Sequence, residues 1–95
     1  MIIQIIKLKL ALPEEELLRR AKERAPQFKA LNGLKQKYYT RLSEPGKYAG
    51  IYVWESHEAL AAFRQTELAA SIPEAYEISG PPEIETMDIM LQLRD

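Results

Sequence analysis

The chain has 95 residues, 46% hydrophobic and 28% charged, which is the composition of one small globular domain. Thirteen basic residues against fourteen acidic ones give a net charge of −1, so there is no electrostatic case for a nucleic-acid partner, and no apolar run is long enough to span a membrane. There is no cysteine, which excludes disulfides, thiolate metal sites and a cysteine nucleophile; Lys7 and Lys9 interrupt the opening apolar run too early for a signal peptide, so a cytoplasmic protein is expected.

Residues 2–10, IIQIIKLKL, are β-branched and aliphatic and read as a strand. Ile2, Gln4, Ile6, Leu8 and Leu10 share one face, and Ile3, Ile5, Lys7 and Lys9 the other. Both faces are apolar over part of the strand, so something is expected to cover each. A first helix follows. Pro13 suits its first position, Glu14, Glu15 and Glu16 lie at the positive end of its dipole, and Leu17, Leu18, Ala21, Ala25 and Phe28 form its apolar stripe. Pro26 is expected to end or kink it near Ala25.

Leu34 to Leu42 reads as a second strand and KYAGIYVWE as a third, joined by a type II turn with Pro45 and Gly46 at its centre. SHEALAAFRQTELAASI reads as a second helix with Ser56 as its N-cap, limited by Pro73. After the loop SGPPE, the run EIETMDIMLQL reads as the last strand, with Met87, Ile89, Leu91 and Leu93 on one face.

The order β-α-β-β-α-β is the ferredoxin-like arrangement, an α+β fold with a four-stranded antiparallel sheet and two helices on one face. In the third strand Ala49, Ile51 and Val53 alternate with Tyr48, Tyr52 and Trp54. The aliphatic set is expected toward the helices and the aromatic set on the open face. So large an apolar face calls for a partner, and a homodimer packed sheet against sheet is expected.

The segments GLKQKYY, GIYVWES and ALAAF resemble the YdhR-type mono-oxygenase-like proteins of the dimeric α/β-barrel (ferredoxin-like) superfamily, alongside the antibiotic-biosynthesis mono-oxygenases, over nearly the whole chain. The resemblance implies a ferredoxin-like subunit, a dimer formed through the sheets and a cavity for a small organic molecule. It also touches the superfamily's haem-degrading enzymes. Their helix tryptophan falls on Phe63 here and their haem-ligating histidine on Pro73, which cannot ligate iron.

The lone histidine, His57, is the natural general base, with Trp54 beside it as the second catalytic candidate. The competing reading of His57 is an exposed residue in the first turn of a helix. Tyr39, Tyr52, Trp54 and Phe63 are the ligand-binding candidates, since an aromatic wall suits a flat organic molecule. Interface packing, or plain core packing for Phe63, explains them as well. Tyr38 and Tyr39 are strand neighbours, so only one of them can join such a wall. Lys35, Lys37 and Arg41 form a basic strand face that could attract an anion or simply protect an edge strand. No metal-ligand spacing, phosphate loop or dinucleotide fingerprint is present, and neither metal nor cofactor is expected. The expected function is that of a cofactor-independent mono-oxygenase-like protein acting on a small phenolic or quinone-like aromatic. The alternatives are a non-catalytic dimeric protein that binds a small molecule or partner, and a cofactor-free isomerase.

Overall fold

The computed structural model describes residues 1–94. Among them the elements run β1 (Ile2–Lys9), α1 (Glu14–Lys29), β2 (Leu34–Arg41), β3 (Lys47–Trp54), α2 (His57–Arg64), α3 (Glu67–Ala70), α4 (Ile72–Ala75) and β4 (Glu83–Asp88). The strands form one sheet in the order β2-β3-β1-β4, every pair antiparallel, with the helices packed on one face. This is the ferredoxin-like α+β fold. The doubly apolar strand β1 takes an inner position and pairs on both sides. The β2–β3 hairpin turns at Pro45-Gly46, where Gly46 has φ +80° and the Lys47 N–H donates to the Glu44 carbonyl at 3.2 Å, as a type II turn requires. Among the described residues no helix is long and apolar enough to cross a membrane.

The two faces of β3 are the reverse of the expectation. Residues opposed across an antiparallel pair share a face. Ile2 opposes Trp54, Gln4 opposes Tyr52, Ile6 opposes Gly50 and Leu8 opposes Tyr48. Ile2, Gln4, Ile6, Tyr52 and Trp54 are all buried, so the aromatic row lies under the helices. Ile3, Ile5, Ile51 and Val53 share the open face and are only partly covered. The physical reason is depth. The helix layer meets the sheet partly through small residues, Ala21 and Ala59, and long side chains must bridge the gap. Trp54 and Tyr52 do so from below, meeting Phe63 at centroid separations of 5.1 and 5.7 Å, and Phe28 also meets Tyr52, at 6.3 Å.

Three boundaries also differ. Helix α1 runs through Pro26 to Lys29, and the Ala30 N–H still donates to the Pro26 carbonyl at 3.2 Å. An interior proline costs about 3 kcal/mol. Burying Phe28, two residues on and 4% exposed, recovers about 1.5–3 kcal/mol of that. The second helix breaks into three pieces. Thr66 Oγ1 accepts from the Ala69 N–H at 3.1 Å and donates to the Phe63 carbonyl at 2.7 Å, so it ends one helix and caps the next. The break turns Ile72 and Tyr76 toward the sheet, where both are buried. Strand β4 stops at Asp88 instead of continuing to Leu93. Its partner β1 begins at Ile2, and Ile89 makes the last backbone bond, to the Met1 carbonyl at 2.9 Å. Leu91 and Leu93 lie beyond it, exposed.

Candidate functional site

The helices do not reach fully over the β2 side of the sheet, and a cavity of about 200 Å³ lies between the layers. Its floor is formed by Ile6 and Leu8 of β1, Lys37 and Tyr39 of β2, and Gly50 and Tyr52 of β3. Leu17 and Leu18 of α1 roof it, with Ile72 of α4 and Tyr76 just beyond. Glu14 and Arg41 stand at its rim, joined by two charge-assisted hydrogen bonds of 2.6 and 3.0 Å that hold the Glu14 carboxyl below the usual range. A second groove of about 280 Å³, lined by Ala25, Phe28 and Leu34 among others, lies alongside and shares Lys37 and Tyr39 with the first.

Gly50 shapes the floor. It falls in the aromatic row between Tyr48 and Tyr52, and a Cβ there would stand 3.1 Å from the Tyr52 ring. Without one, the Tyr52 ring can lie back over the strand.

Lys37 is the distinctive group. Its strand position shares the parity of Tyr39 and Arg41, so it turns inward toward the helix layer. Its Nζ stands 3.4 Å from the ring centroid of Phe28 and 4.5 Å from those of Tyr39 and Tyr52. Burial among these rings, with the positive charge of Arg24 adding to it, pulls the ammonium down to about 7. The phenols move the other way. Burial pushes Tyr39 up to about 12 and raises Tyr52 and Tyr76, so all three stay protonated near neutrality.

Arg24 lies behind this group, its guanidinium 5.8 Å from the Phe28 centroid and 5.6 Å from that of Tyr76, with a 3.0 Å bond to Ser71 Oγ. Its Nε and the Tyr76 hydroxyl are buried without a hydrogen-bond partner among the described residues. Buried orphans of this kind are uncommon, and both atoms are closed off from the cavity.

The structure brings two of the expected site residues together at this cavity, Tyr39 and Tyr52. Phe63 is core, packed on Phe28, Tyr52 and Trp54. Trp54 has no exposed surface and lines neither cavity; its ring lies parallel to that of Tyr52, and its Nε1 donates to Gln4 at 3.0 Å. His57 sits apart on the surface at the start of α2, 68% exposed, with Nε2 2.9 Å from an Asp88 carboxylate oxygen. Tyr38 faces the open side. Lys37, Gly50 and Tyr76 complete the cavity lining; of these the sequence flagged only Lys37, as part of a basic strand face that could attract an anion. Strand parity with Tyr39 was a signal for Lys37; Tyr76 had none, because it depends on the break at Thr66.

Among the described residues no three acidic or histidine side chains converge to hold a metal ion. A haem does not fit the site as built. The cavity lining contains no histidine, cysteine or methionine, and its phenols are held protonated.

No protein-family model matches the chain, and no curated protein matches its sequence. Solved structures do share its fold. SnoaB, a cofactor-independent oxygenase from Streptomyces nogalater, superposes with a TM-score of 0.77 at 16% identity, over 99% of this chain and 97% of that one. A proposed antibiotic-biosynthesis mono-oxygenase from Deinococcus radiodurans gives 0.76 at 15% identity, over 100% and 98%. A variant of MhuD with two manganese protoporphyrin IX molecules bound per active site gives 0.77 at 16% identity, over the full length of both chains. The chain thus has the fold of antibiotic-biosynthesis mono-oxygenase domains.

Proposed function

We propose that the protein is a cofactor-independent mono-oxygenase of the YdhR type, acting on a small phenolic or quinone-like aromatic held in the cavity between sheet and helices. The observation that carries this reading is the cavity itself, about 200 Å³ with an apolar floor and roof, phenols on its wall and one half-buried amine. A cavity of about 150 Å³ admits a benzene ring. This one therefore suits a single substituted ring, and a larger ring system would extend into the groove beyond Lys37 and Tyr39.

The chemistry asks little of the protein. A methylene activated by an adjacent phenolate or enolate reacts with dioxygen; one oxygen atom becomes a carbonyl on that carbon and the other leaves as water, with all four electrons supplied by the substrate. The protein's part is to hold the ring, favour its anion and keep water out. Tyr52 and Tyr39 supply the aromatic wall and hydroxyl donors; Lys37 supplies the cation.

The functional unit is a homodimer in this reading. Ile3, Ile5, Ile51 and Val53 form an apolar open sheet face, extended by Tyr38 and Met87 and followed by exposed Met90, Leu91 and Leu93. A second copy covering this face would leave the cavity on the opposite face free. Light scattering at micromolar concentration is expected to give twice the monomer mass.

Oxygen uptake with a panel of hydroquinones and anthrones tests the activity. The expected result is uptake by at least one member, with incorporation of labelled oxygen and loss of turnover in Lys37→Met. Saturable binding across the panel with no product would favour the non-catalytic alternative.

A further inference from the structure

The groups that line the cavity point to the form of its ligand. Tyr39 and Tyr52 line it with phenols that stay protonated and can donate. Lys37 adds an amine enclosed by three rings. On the acceptor side the lining offers one carboxylate, Glu14, which is at the rim and engaged by Arg41. An amine enclosed by apolar rings, with phenolic hydroxyls beside it that can donate, favours a ligand that brings an acidic oxygen.

We propose that Lys37 is the general base of this site: its neutral amine takes the proton of an acidic phenol or enol in the cavity, and the ligand is held as its oxyanion against the resulting ammonium and the surrounding hydroxyls. This rests on the cavity reading above and names the substrate class within it. The step is a proton transfer alone. The ligand O–H bond breaks, its electron pair stays on oxygen, and an N–H bond forms on Nζ.

The choice of class follows from matching acid to base. A base works best when it titrates near the operating pH. The titratable groups facing Lys37 are Arg24 from α1, whose charge favours its neutral form, and the uncharged phenols of Tyr39 on β2, Tyr52 on β3 and Tyr76 beyond α4. Glu14 and Arg41 at the rim neutralise each other. An amine titrating near neutrality is poorly matched to an ordinary phenol, which titrates at about 10. It matches hydroxyquinones, electron-poor phenols and enolised 1,3-dicarbonyl compounds. Attraction between the new ammonium and oxyanion in a largely apolar cavity adds to the transfer.

The test uses the full-length protein and 4-nitrophenol, whose neutral and ionised forms absorb at different wavelengths, at a pH below the probe's own midpoint. The expected result is a phenolate band that grows and saturates with added protein. Lys37→Met is expected to abolish that band and weaken binding at least tenfold, with its thermal unfolding recorded to show that it folds. Saturable binding of the neutral phenol by the wild type would overturn the proposal and leave the cavity reading standing. A phenolate band retained in folded Lys37→Met would overturn it too. The absence of any saturable binding to the wild type would overturn both. Should Lys37→Met fail to fold, Lys37→Gln takes its place, with the same outcomes.

Discussion

The Trp54 indole donates from Nε1 to Gln4 Oε1 at 3.0 Å, at a point on the sheet where both side chains are shut off from water. The two residues lie in neighbouring strands, and the bond satisfies the one polar atom of the indole deep in the apolar layer. Replacing Gln4 with Leu keeps the bulk and strands the indole N–H. The expected loss is about 1–3 kcal/mol in urea unfolding, the penalty of a buried unpaired donor. Ligand affinity at the cavity should not change, because neither residue lines it. A Gln4→Leu protein as stable as the wild type would contradict this role for the pair.

Gly50 offers a probe of the cavity floor. In Gly50→Ala the new Cβ meets the Tyr52 ring at 3.1 Å, so the ring must shift by a few tenths of an ångström toward the cavity. Stability should change by less than about 1 kcal/mol, since alanine suits a strand interior better than glycine does and offsets the crowding. Affinity for a single-ring phenol is expected to fall several-fold in a calorimetric titration. Unchanged affinity would place the ligand elsewhere.

Lys37 ties stability to pH. Its ammonium titrates at about 7 in the fold against an ordinary 10.5. Between these values the unfolded chain holds a proton that the folded chain lacks, so this residue's contribution to stability rises with pH across that window. Tyr39, raised to about 12, acts oppositely above about 10, where the folded chain keeps a proton that the unfolded chain loses. Comparison with Lys37→Met cancels the tyrosine effect. The variant is expected to be more stable than the wild type by about 1–2 kcal/mol near pH 7, a figure discounted for partial exposure of the amine. The gain should shrink toward pH 10. Urea unfolding at both pH values checks it, and a gain independent of pH would contradict it.

His57 and Asp88 form a surface pair that links the start of α2 to the end of β4. Exposed pairs are worth about 0–1 kcal/mol. His57→Ala is accordingly expected to unfold within that margin of the wild type and to keep full ligand affinity. A large fall in turnover in this variant would return His57 to the catalytic site.

The sequence displayed the architecture because each element carries its own period and punctuation. Pro45-Gly46 marks the hairpin, Ser56 the helix start and the β-branched run at residues 2–6 the inner strand. Tyr39 and Tyr52 were legible as candidates for the cavity wall, since parity along a strand separates Tyr39 from Tyr38. Which face each parity class occupies was not legible. That choice depends on how wide a gap the small helix residues leave for Trp54 and Tyr52 to fill, a property of packing between distant segments. The break at Thr66 was hidden for a related reason. Its hydroxyl can cap a helix or sit idle inside one, and the burial of Ile72 and Tyr76 decides between the two. Tyr76 reached the site only through that break.

The claim that the cavity under α1 and α4 is the ligand site is tested most directly by following backbone and side-chain NMR shifts as hydroquinone is added. The predicted result is saturable change confined to Lys37, Tyr39, Gly50, Tyr52 and Tyr76, with Trp54 shifting weakly through its stacked neighbour. Shifts confined to the open sheet face at Ile3, Ile51 and Val53, or to His57 and Asp88, would contradict it.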